Sequence, residues 1–181
     1  DKRFGKGEKL LYGEAWAGGT CHPRPGTRLC TKDNLRALNP AIGAFCDNTR
    51  DAVKGSLMDE KAPGFVNGGG MNARALRSCV TGWAGEDAQF PAPSQTITYL
   101  SCHDDWTLWD KLVCTMDAKR RFDKPLPNVI RANKLAAAIN LCCQGRPFIH
   151  AGEEFGRTKN GVKNSYNASP LLNRLDRYTC S

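Results

Sequence analysis

Three stretches of this sequence place acids beside rings or imidazole just after a short apolar run. LLYGEAW, residues 10–16, runs apolar into Gly13 and then offers Glu14 and Trp16. TITYLSC, residues 96–102, leads into His103, Asp104, Asp105 and Trp106. PFIHAG, residues 147–152, leads into Glu153 and Glu154, with Arg157 close behind. If these runs are strands of one parallel sheet, their C-terminal ends share a face, and the active site of such folds lies there. Two carboxylates meeting beside flat rings would suit glycoside hydrolysis. One acid protonates the leaving oxygen, and an ionised carboxylate attacks or stabilises positive charge at the sugar. Trp16 and Trp106 would offer apolar faces to the C–H surfaces of a sugar. His103 could donate to a hydroxyl or orient a carboxylate. A single acid after a strand also serves as a helix cap or a loop ion pair, so spacing alone leaves both readings open.

The elements that must position these groups follow from pattern. Residues 9–13 and 41–45 are strand-sized apolar runs, separated by a Gly- and Pro-rich loop at 18–29. DNTRDAVKG has an Asp at a helix start and Gly55 at its stop. A helix is expected over Met71–Val80, closed by Gly82. Residues 96–102, rich in β-branched and aromatic side chains, give the clearest strand. Helices are expected over Trp106–Met116 and Asn128–Gln144, the second ending at Gly145, and a last short strand over Phe148–His150. Alternation of this kind argues for parallel βα units. Short, wholly apolar strands imply cover on both faces.

Composition narrows the class. The chain has 181 residues, enough for one domain with a core, and 40% hydrophobic content excludes a disordered chain. No apolar run is long enough to span a membrane, and the first residues do not resemble a signal peptide. Net charge is +8, but the cations are scattered, with no arginine-rich arm, zinc-finger spacing or RNA-binding signature. A solvated surface, not nucleic acid, is expected. Nine cysteines, an odd number with no CxxC pair, argue for a reducing compartment, hence the cytoplasm. Secretion is the alternative, because the sequence does not begin with Met. Neither Cys21–His22 nor Cys102–His103 has zinc-ligand spacing, and no calcium-type loop is visible. No metal and no cofactor are expected.

Four motifs carry a resemblance. YGEAW at 12–16, LNPAIGAFCDNTRDAVKG at 38–55, TYLSCHDDWTLWDKL at 98–112 and QGRPFIHAGEEFGRTKNGVKNSYNAS at 144–169 occur in the order and spacing of the type I pullulanases. These are the α-1,6-debranching members of the α-amylase family of glycoside hydrolases. The resemblance runs from Lys9 to about Asp176. It implies a (β/α)8 barrel, a retaining mechanism and an α-glucan substrate such as pullulan, starch or glycogen. By it Glu14 corresponds to the general acid/base and Asp104 to the carboxylate that stabilises the transition state. His103 corresponds to the imidazole that binds the sugar at the cleavage subsite, and Trp16 to the ring beside the acid. Tyr12, Asp47, Asp105, Trp106, Glu153 and Arg157 are further candidate substrate contacts, and a structural ion-pair role is open for the charged ones.

The departures from the family pattern are specific. Cys46, Asn48 and Thr49 replace an Asn, an Arg and a Phe, and Asp105 takes an amide position. The tail, residues 171–181, lacks the family's Trp. The family's nucleophile is an Asp in a GFRFDLM-like strand just upstream of the YGEGW-like strand, and neither that motif nor the DVVYNH-like strand occurs here. The resemblance therefore implies a single incomplete domain over residues 1–181, holding strands five to eight and lacking the N-terminal half of the barrel. A non-catalytic or decayed α-glucan-binding member is the alternative. Half a barrel leaves open sheet edges. The purified 181-residue chain is therefore expected to release no maltotriose from pullulan, and chromatographic detection of that product would refute the expectation.

Overall fold

A computed structural model describes residues 9–17 and 19–175. Four short strands form one parallel sheet in the order β1 (Leu11–Gly13), β2 (Ile42–Phe45), β3 (Thr96–Thr98) and β4 (Arg146–Pro147). Leu11 sits opposite Ile42, Ala44 opposite Thr96, and Ile97 opposite Arg146. Helices α1 (Asp47–Lys54), α2 (Ala73–Val80), α3 (Leu108–Met116) and α4 (Pro127–Cys142) make the crossovers, and a short α5 (Pro170–Asn173) follows. The fold is thus mixed α/β with a parallel sheet, as the alternation of patterns implies.

Local chemistry sets the element ends. Asn72 caps α2 by accepting from the Ala75 amide at 3.0 Å, and Thr107 caps α3 by accepting from the Asp110 amide at 3.1 Å. Pro127 opens α4 at its first turn, where its missing N–H is not needed. Gly55 stops α1 with φ +92°, and a Cβ there would lie 2.0 Å from the Ala62 carbonyl oxygen. Only glycine fits that turn.

Three expectations are corrected. The strand at 96–102 ends at Thr98. Tyr99, Leu100 and Ser101 are buried, but they leave the ladder to turn into the His103 loop. The last strand lies at Arg146–Pro147, ahead of the expected 148–150, because pairing begins directly after the Gly145 turn. Phe148 adds one bond beyond it, donating to the Thr98 carbonyl at 2.7 Å. The strands are also not all covered. Every residue of β3 is buried, but β1 exposes 62% of Leu11 and 43% of Tyr12. Among the described residues β1 and β4 are the two edges of the sheet, each with a neighbour on one side only.

Val53 of α1, Leu100, and Leu108, Leu112 and Val113 of α3 pack on Val129, Ala132 and Ala136 of α4 to form the main core. A smaller cluster of Ala15, Leu35, Ala44, Cys46 and Phe90 lies beside β2. No helix among the described residues is long and apolar enough to cross a membrane.

The inner face of α1 is charged. Asp47, Arg50 and Lys54 recur at helical spacing and all are buried. Asp47 accepts from the Tyr99 hydroxyl at 2.6 Å, from Arg50 at 3.1 Å and from Lys32. Arg50 also donates to Asp51 at 2.7 Å. Lys54 is 1% exposed, and burial, reinforced by Arg50, pushes its ammonium down from 10.5 to about 8. Between those two pH values the unfolded chain holds the Lys54 proton more tightly than the folded one, so this group makes stability rise with pH. The buried Tyr99 hydroxyl and the Cys46 thiol are shifted upward and act with the opposite sign in that range. Comparison with Lys54→Met isolates the effect. The wild type should gain up to about 3 kcal/mol on the variant between pH 8 and 10.5, read by urea unfolding at each pH, and parallel profiles would exclude it.

Candidate active site

Parallel pairing puts the C-terminal ends of all four strands on one edge. Glu14 directly follows β1, and His103 and Asp104 follow the run that leaves β3. The structure brings these three together. The His103 Nε2 lies 3.7 Å from Glu14 Oε1 and 3.4 Å from Asp104 Oδ1. One donor atom from each residue lies within 4.8 Å of the others. Their side chains are 36%, 66% and 41% exposed for Glu14, His103 and Asp104. Charges this exposed contribute little to stability, so the cluster is an open set of polar groups. An imidazole between two carboxylates can hold and pass a proton and can bind hydroxyls. Its donor types also match a divalent transition ion. Among the described residues Cys102 and the Cys21–His22 pair join no such group.

The remaining candidates divide. Tyr12 is half exposed and packs edge-on against Phe45 with ring centres 5.7 Å apart. Trp16 is half-buried with the Lys32 ammonium 5.4 Å from its ring centre, so a cation sits over one face. Lys32, in the loop between β1 and β2, was not foreseen, because nothing in the spacing links it to Trp16 or Asp47. Asp105 adopts a left-handed backbone, φ 58°, which Asp tolerates better than most residues. Its amide donates to Asn164 at 3.2 Å, and Lys163 lies 3.4 Å from its carboxylate.

Four candidates are held by partners within the protein. Asp47 is committed to Tyr99, Arg50 and Lys32. Trp106 is 4% exposed, its indole donates to the Gly161 carbonyl at 3.2 Å, and Lys163 sits 4.9 Å from its ring centre. Glu153 is buried and accepts from the Ser101 hydroxyl at 2.7 Å, with burial pushing its carboxyl upward. It props the His103 loop from below. Arg157 donates to the Ala151 carbonyl at 3.2 Å and to the Asn173 carbonyl, tying the turn after β4 to α5. Asp110 of α3 anchors the same turn by accepting from the Lys159 amide at 2.8 Å. His150 also escaped the sequence reading. Burial, with Arg157, Lys159 and Lys54 nearby, pushes it down to about 4, so the imidazole is neutral at pH 7. Its position at the end of the PFIH run was the available signal.

Comparison with known proteins places this geometry. No family model matches the chain. It is 43% identical over 173 residues to a pullulanase of Bacillus subtilis strain 168, a match covering 92% of this chain and 23% of that protein. The pullulanase of Bacillus acidopullulyticus superposes with a TM-score of 0.81 at 36% identity, over 94% of this chain and 20% of that one. The type I pullulanase of Bacillus subtilis in complex with maltose does so with a TM-score of 0.77 at 39% identity, over 94% and 23%. The chain thus spans about a quarter or less of the length of these relatives. What it matches, over nearly its whole described length, is a segment of a pullulanase.

Proposed function

We propose that this chain is part of a glycoside hydrolase that cleaves α-1,6 branch points in pullulan, starch or glycogen. It supplies strands five to eight of a (β/α)8 barrel, with β1 as the fifth strand and β4 as the eighth. The observation that carries this reading is the meeting of Glu14, His103 and Asp104 at the strand ends. The pullulanase solved with maltose supports an α-glucan as the ligand.

In this reading the glucan lies across the strand ends. Glu14 protonates the bridging oxygen and then, as a carboxylate, takes a proton from the incoming water. Asp104 stays ionised and stabilises the oxocarbenium-like state, and His103 donates to a sugar hydroxyl. The nucleophile is an Asp on the strand preceding β1, whose motif this sequence does not contain. The retaining course is set by the pair of Glu14 and that nucleophile. The exposed edges of β1 and β4 are where the other four strands would pair. The free cysteines among the described residues support the cytoplasm as its compartment.

The test is the parent open reading frame, obtained by sequencing the flanking DNA. Its product should debranch pullulan, and Glu14→Gln should lower kcat by about 10^3-fold or more while maltotriose binding is retained. Full activity in the variant would remove Glu14 from the chemistry. An upstream stop codon or unrelated domain would favour the decayed glucan-binding alternative.

A further inference from the structure

Glu14, His103 and Asp104 form the one group of three side chains among the described residues whose donor atoms stand close enough to share a metal ion. The imidazole is central. Its Nε2 lies 3.7 Å from Glu14 Oε1 and 3.4 Å from Asp104 Oδ1, and all three atoms fall within 4.8 Å of one another. Two donors bound at about 2.1 Å to one ion stand roughly 3.0 Å apart along an octahedral edge and roughly 3.4 Å along a tetrahedral one. The two distances from His103 lie at or just beyond that range. All three side chains are exposed by a third or more, so small rotations close the triangle without moving the core.

Neither carboxylate has a Lys or Arg partner among the described residues, and His103 is the ion-pair partner of each. Metal binding requires ionised carboxylates and a neutral imidazole. In that state the trio offers two oxygen donors, one nitrogen donor and two negative charges. This donor set suits a divalent first-row transition ion. The open surface leaves its other coordination positions to water.

We propose that Glu14, His103 and Asp104 bind a divalent first-row transition ion across the strand ends, as an inhibitor rather than a cofactor. An ion on Glu14 Oε1 takes the lone pair that the acid/base proton needs, and it fills the place where the glucan would lie. The ion site rests on the distances and donor types, and its competition with sugar rests on the glucan reading above.

Mn2+ is the suitable probe, because the nine cysteines of the chain would draw softer ions such as Zn2+ or Cu2+. Its paramagnetism also broadens the NMR signals of nearby groups. MnCl2 titrated into the nitrogen-labelled 181-residue chain should broaden the amides of Glu14, His103 and Asp104 first. Glu14→Gln, His103→Gln and Asp104→Asn each replace a strong ligand by an amide of similar size, and each should weaken binding about tenfold or more. An otherwise unchanged amide spectrum shows that these surface variants fold. Broadening centred elsewhere, or binding unchanged in the three variants, would overturn the site. Maltotriose added in increasing amounts should raise the apparent Kd for Mn2+. Binding at the trio that maltotriose leaves unchanged would uphold the ion site and overturn its competition with glucan. Maltotriose shifts at His103 and Asp104 without Mn2+ broadening there would overturn the ion site and leave the glucan reading standing.

Discussion

The parallel pairing of four very short strands is the constraint on which the site depends. Each strand contributes two to four residues, too few to hold a geometry alone. Pairing fixes their register, and register fixes which residues come off the C-terminal edge together. Glu14 is distant from His103 and Asp104 in sequence, yet β1 and β3 both flank β2, so their ends lie near one another. A slip of one residue would turn every side chain to the opposite face. The chemistry is thus a property of the sheet before it is a property of any side chain.

A buried polar frame beneath that edge keeps the loops in place. Asp47, Arg50 and Lys54 of α1, Tyr99 and Ser101 after β3, and Glu153 after β4 come from two crossovers and the turn after the last strand. Their bonds tie the strand ends together from below: Tyr99 to Asp47, Ser101 to Glu153. Buried charges contribute little net stability against apolar packing of the same volume. What they supply is direction, because a hydrogen bond fixes an orientation that apolar contact leaves free. The exposed trio above this frame has few bonds of its own, which leaves its polar atoms available to a ligand.

The two open edges matter as much as the closed interior. β2 and β3 have neighbours on both sides, and β3 is buried throughout. β1 has one neighbour and shows Leu11 and Tyr12 to solvent. An exposed apolar edge strand favours pairing with further strands, consistent with a segment that spans about a quarter or less of its relatives' length.

Much of this was legible in the residues. The turn at Gly55, the helices at 47–54, 108–116 and 127–142, and the convergence of acids after apolar runs follow from local rules: spacing, caps and the reach of a parallel strand. Four motifs carried the likeness to pullulanases for the same reason, since motif residues are adjacent in sequence. What local rules could not reach was burial. Trp106, Glu153 and Asp47 have the residue types of sugar contacts, but each is buried by partners from other elements. Lys32 and His150 gained their roles only from neighbours folded against them. The sequence by itself determined which groups stand at the strand ends. Only the tertiary structure decided which of them face solvent, because that depends on what packs over each side chain from distant parts of the chain.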